Sequence, residues 1–164
     1  MKELYYSNKK KFRGKRRYFR NLWNKVETYE LDIEDNWFDF YHIHLDFSGH
    51  GNNSKKIRNE HIKAHLSLYK NILKQLEKYE NSFQSWICIH EEDTGADAVY
   101  VHTKNPNYDD FPFQNENINW ECKIPNSLMN LIDIEKFNVG YISSNHENTY
   151  FIQSKEHGVS INIK

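Results

Sequence analysis

What this chain lacks narrows its class before any motif is sought. No segment approaches 18 apolar residues, so no stretch is long enough to cross a bilayer as a helix. The opening residues, MKELYYSNKKKFRGKRR, contain no apolar core segment, and a secretory signal is not expected there. Cysteine is scarce. Cys88 and Cys122 are too few for a disulfide framework, and their spacing fits no zinc motif. A reducing, cytoplasmic setting is the expectation. Charge of one sign is also missing: 22 bases meet 23 acids, for a net charge of −1. No global field therefore draws the chain to nucleic acid or to a membrane. There is no internal repeat and no low-complexity linker.

What remains is aromatic. Hydrophobic residues make up 38% of the chain and aromatics 15%, so a few large rings, each burying about 150–250 Å², carry much of the core. A length of 164 residues favours one domain over two, with residues 1–14 expected as a flexible basic arm. Folding at this size buries roughly 70% of the surface of the unfolded chain, enough for one core.

Periodicity gives the elements. Tyr18, Leu22, Val26 and Tyr29 recur at helical spacing, predicting a short helix over 15–29. Residues 38–47 alternate as a strand, with Tyr41, Ile43, Leu45 and Phe47 on one face and Phe40, His42, His44 and Asp46 on the other. After the turn cluster SGHGNNS, a long amphipathic helix is predicted over 55–80. Ile57, His61, Ala64, His65, Leu68, Ile72 and Leu76 lie on one side, widened by Ile62, Tyr69 and Leu73, with Lys56, Lys63, Lys70, Lys74 and Lys78 opposite. Residues 85–90 and 98–103 read as a hairpin, with Ile87 and Ile89 set against Val99 and Val101. That pairing puts Trp86, Cys88, His90, Tyr100 and His102 together on the other face. Further strands are expected at 118–124, 137–143, 149–153 and 158–163, with a helical turn from Pro125 to Leu131. A run of strands beside a few helices predicts an α+β fold. Its antiparallel sheet should have about 5–7 strands, with one long amphipathic helix and a shorter N-terminal one.

Several constellations could carry chemistry, and each has a plainer reading. His42 and His44 point the same way from one strand, beside Asp46, and such a pair suits a metal or proton transfer near neutral pH. The plainer reading is a half-buried polar sheet face. In an enzyme reading, His42, His44, Asp46, His90 and His102 would form the site of a small histidine-dependent, metal-assisted phosphodiester hydrolase. His61 and His65 have the spacing of a zincin helix, but HIKAH lacks the glutamate that would act as general base, so they read as hydrogen-bonded core residues. Cys88 between imidazoles has the makings of a nucleophile. No elbow-type glycine pattern surrounds it, and a buried, inert strand thiol is the plainer reading. No metal and no cofactor is expected.

Residues 9–20 hold eight bases and no acid, interleaved with Phe12, Tyr18 and Phe19. Bases of this kind contact phosphates and aromatics stack on unpaired nucleobases, but no compact RNA-binding motif is present, so at most weak binding is expected. The plainer reading is a solvated basic helix facing the acids of 27–39. Glu91, Glu92, Asp93 and Asp97 form an acidic hairpin loop without the ligand order of a calcium loop. The next loop, 104–117, adds Asp109 and Asp110 beside Tyr108, Phe111 and Phe113. Acids beside exposed aromatics are an interface composition, and these nine residues are the expected partner-binding set. The plainer reading is a hydrated loop with its rings tucked beneath it.

The stretches WFDFYHIHLDFSGHGN and QSWICIHEEDTGADAVYVHTKNPN resemble small bacterial proteins. In overall character the chain is similar to the immunity proteins of polymorphic, contact-dependent toxin systems. Those proteins are short, cytosolic, aromatic-rich and often α+β, and they lack catalytic motifs. The resemblance implies a protein that occludes a basic toxin or nuclease domain, with no role for a membrane.

Overall fold

The computed structural model describes residues 14–32, 40–45, 55–79, 83–91, 97–103, 118–143 and 148–156. In chain order these form α1 (Lys15–Glu27), β1 (Phe40–Ile43), α2 (Lys55–Leu76), β2 (Phe83–His90), β3 (Ala98–Thr103), α3 (Asn126–Met129), β4 (Phe137–Ser143) and β5 (Asn148–Ser154). A 3₁₀ turn at Glu77–Tyr79 extends α2. The fold is α+β, and all strand pairs are antiparallel, in the order β1-β3-β2-β5-β4. β3 returns between β1 and β2, so β1, α2 and β2 make a split β-α-β unit.

α1 starts at Gly14, whose φ of 91° is a left-handed conformation that costs a side chain strain. No acid occupies its first turn, which carries Lys15, Arg16 and Arg17 instead. Bases there oppose the helix dipole, so packing must hold the helix in place. Leu22 and Val26 are its buried residues. α1 lies beside α2 and runs the same way along it. Tyr18 Oη meets His61 Nε2 at 3.1 Å, and further along the Asn71 and Gln75 amides donate to the Tyr29 carbonyl at 3.3 and 2.8 Å.

The apolar stripe expected on α2 is buried from Ile57 to Leu76. It is wider than a one-sided stripe, taking in Ile62 and Leu66, because α1 covers one flank while the sheet covers the other. Tyr69 fixes this packing. Its hydroxyl donates to the Ser85 carbonyl at 2.8 Å and accepts the Ser154 N–H at 3.1 Å, joining α2 to β2 and β5. Burial pushes that phenol up to about 12, so it stays a donor.

The sheet is covered on both faces. Ile87, Ile89, Val99, Val101, Tyr150 and Ile152 join the helical core, while Trp86, Cys88, Ile142 and Phe151 form a second cluster on the opposite face. The Trp86 and Tyr100 rings stack at 5.5 Å and 6°. Central strand β2 is therefore buried along most of its length, which blurs the two-residue alternation. The expected division of faces in the hairpin is observed. The register is shifted by two residues from one that pairs Ile87 with Val101 and Ile89 with Val99: Ile87 faces Val99 and Ser85 faces Val101.

The strand expected over 118–124 is corrected to one bridge, Asn119 to Tyr141. The Asn119 side chain accepts the Glu121 N–H at 3.0 Å, turning the chain after one pair. Ile118 and Trp120 then lie on Gly140, where a β-carbon would overlap Ile118 and come within 3.1 Å of Trp120. The strand expected over 158–163 lies outside the described residues.

Candidate functional site

The β2–β3 hairpin carries the most concentrated titratable chemistry in the described structure. Asp97 immediately precedes β3, and its side chain is only 2% exposed. Its Oδ1 accepts the His90 backbone N–H at 2.9 Å and Arg58 Nη2 at 3.0 Å, while Oδ2 accepts Arg58 Nη1. Arg58 Nη2 also donates to the His90 carbonyl. Two imidazoles complete the cluster: His90 Nδ1 is 3.6 Å from Oδ1 and His65 Nδ1 is 3.9 Å from Oδ2. Arg58 and His65 share a face of α2 because they are seven residues apart, and that face looks onto the hairpin.

Burial alone would raise the Asp97 carboxyl, but hydrogen bonding from His90 and Arg58 outweighs it and holds the group well below the usual carboxylate range. His65 is pushed down, chiefly by burial, against the pull of Asp97. Its Nδ1 lies 2.9 Å from the His61 carbonyl, which selects the Nδ1–H tautomer. An ionised carboxylate flanked by imidazoles is familiar in acid–base catalysis. Here, however, the guanidinium takes both carboxylate oxygens and leaves a cation no electrostatic advantage. Among the described residues, no group of three or more His, Cys, Asp or Glu is arranged to hold a metal ion.

Asp97 is thus a correction to the expected partner-binding set. It is not an exposed loop-tip acid but a buried anchor immediately before β3. The loop above it is tied at its other end as well. The Glu91 N–H donates to the Asn148 carbonyl at 2.9 Å, and the Asn148 amide donates to the exposed Glu91 carboxylate at 2.9 Å. Glu91 and Asp97, the two residues that flank the loop, are thus both held by hydrogen bonds.

Glu91 has company that spacing along the chain does not show. The Tyr141 and Tyr150 rings pack at 5.1 Å on β4 and β5. Both phenols are raised, first by desolvation and then by the Glu91 carboxylate, with Tyr150 pushed up to about 12. Tyr141 is half-exposed and Tyr150 buried. The antiparallel ends of β2, β4 and β5 bring these three residues together across about 50 positions of sequence. The signal legible beforehand was the alternation of 137–143, which marked Tyr141 as facing the same way as Val139.

Among the described residues, the other sequence candidates lie apart. His44 is exposed just past β1, while His102 is buried and faces Phe40 and Gln84 in the register, away from His90. Cys88 is buried among Trp86 and Phe151, as its plainer reading had it. His61 and His65 are buried, with the hydrogen bonds given above. Glu92, Asp93, Asp46, Tyr108, Asp109, Asp110, Phe111 and Phe113, and the His42 side chain, lie outside the described residues. No protein-family model, curated protein or solved structure matches this chain. No helix among the described residues is long and apolar enough to cross a membrane.

Proposed function

We propose that this chain is a protein-binding inhibitor, an immunity protein whose acidic hairpin loop covers a basic cleft on a cognate toxin or nuclease domain. One observation carries the reading: both ends of the loop are pinned, at Asp97 by Arg58 and the His90 N–H, and at Glu91 by Asn148. Flanking residues that are fixed before binding lower the conformational freedom lost on docking. Glu91, Glu92 and Asp93 then supply a negative field that steers association with a basic partner. Tyr141 beside Glu91 supplies an aromatic anchor of the kind that dominates interface energetics. Tyr108, Asp109, Asp110, Phe111 and Phe113 also belong to the partner-binding set in this proposal.

The test is capture of the partner from the native host, identification by mass spectrometry and surface kinetics with variants. Reversing Glu91, Glu92 and Asp93 to lysine should slow association and flatten its salt dependence. Tyr141→Ala should instead speed dissociation by about thirtyfold, the equivalent of roughly 2 kcal/mol at a hot spot. If both variants fold and neither rate moves, the hairpin is not the interface. If the purified chain cleaves a phosphodiester by itself and loses that activity on His42→Ala/His44→Ala, the hydrolase reading replaces this one.

A further inference from the structure

The helical layer on the far side of the molecule from the sheet has a chemistry of its own. On α1, Arg17, Arg20 and Asn24 recur at helical spacing opposite the buried Leu22/Val26 row, with Arg16 beside them, and all four are exposed. On α2, Lys63, Lys70 and Lys74 form an exposed row opposite the buried stripe. The two helices run side by side in the same direction, so the two basic rows lie on neighbouring helices of one layer. Lys63 is engaged with Glu60 at 3.3 Å. Among the described residues, Arg16, Arg17, Arg20, Lys70 and Lys74 form no ion pair. The exposed acids Glu27, at the end of α1, and Glu30 and Asp32, which follow it, form no ion pair with them among the described residues.

We infer that the outer face of α1 and α2 binds the phosphodiester backbone of nucleic acid. Three features favour that partner over other anions. The α1 row is arginine, whose planar fork matches phosphate oxygens in pairs, with Asn24 available as a further donor. Bases in the first turn of α1 oppose the helix dipole, and a bound phosphate would relieve that cost. Leu22 and Val26 of α1 are buried, and Tyr18, Phe19 and Trp23 are half-buried against the core, so the helix presents no continuous hydrophobic face to a lipid surface. This surface draws on none of residues 9–13 of the basic arm and on none of the hairpin acids, so it goes beyond the proposed inhibitor function.

The experiment is fluorescence anisotropy of a labelled random-sequence duplex and of its single strand, titrated with the full chain across a salt series. The quadruple variant Arg17→Ser/Arg20→Ser/Lys70→Ser/Lys74→Ser changes exposed positions only, and circular dichroism checks its fold. At about 50 mM salt the unaltered chain should bind, and the variant should bind at least tenfold more weakly. Its salt slope should also be shallower by about 0.9 per lost duplex contact, or about 0.7 on the single strand. Reversal of Glu91, Glu92 and Asp93 should leave this binding in place, which separates its failure from that of the hairpin reading. The inference is overturned if the unaltered chain does not bind at that salt. It is also overturned if deleting residues 1–13 abolishes binding while the quadruple variant retains it, or if vesicles of anionic lipid are bound and neither oligonucleotide is.

Discussion

Arg58 and Asp97, 39 residues apart, meet through both terminal guanidinium nitrogens and both carboxylate oxygens, with the carboxylate almost wholly buried. The pair ties the first turns of α2 to the foot of the β2–β3 hairpin. Through the His90 N–H and carbonyl, it also fixes the last residue of β2.

Removing one partner should be worse than removing both. Asp97→Ala strands a largely buried guanidinium, whose Nε already has no hydrogen-bond partner among the described residues, and should cost about 3–5 kcal/mol. Arg58→Leu with Asp97→Ala should recover part of that loss, since an apolar pair leaves no buried charge. Denaturant melts of the two singles and the double give the coupling directly. Additive losses would show that the pair contributes nothing as a pair.

Acid should destabilise the fold in two phases. His65 has a folded pKa below its ordinary 6.5, so the unfolded chain takes up a proton that the native state refuses. Its contribution is complete above about pH 6.5 and declines as pH falls toward the lowered folded value. Asp97 is also depressed, so its contribution is complete above the ordinary carboxylate pKa of about 3.9 and declines as pH falls below it. Urea melts at pH 7.5, 5.5 and 3.5 should show stability falling at each step. A chain equally stable at the first two would mean that His65 titrates normally.

The two faces of the sheet should respond to opposite changes in volume. Leu68, on α2, is fully buried in the helical core, and Leu68→Ala should cost about 2–5 kcal/mol by leaving a cavity. Gly140→Ala adds one methyl where Ile118 and Trp120 already lie on the backbone, and should cost about 1–3 kcal/mol through overpacking. A loss below about 0.5 kcal/mol for either variant in a denaturant melt would contradict the packing described for that face.

The chain's own pattern determined the elements whose cause is local. The α2 stripe was legible because burial repeats every 3.6 residues against a solvated lysine row. The faces of β2 and β3 were legible because Ile87, Ile89, Val99 and Val101 must share a side. Asp97 was misplaced because spacing along a hairpin cannot say which acid turns inward. That choice needed Arg58 from a distant helix to hold the ionised carboxylate against the cost of burial. The strand expected over 118–124 ended early because one asparagine side chain competed with the ladder for a backbone N–H. The meeting of Glu91 with Tyr141 and Tyr150, and of the α1 and α2 basic rows, came from strand order and helix docking. Such contacts depend on which surfaces bury together, a property of the assembled core that no local stretch of sequence carries.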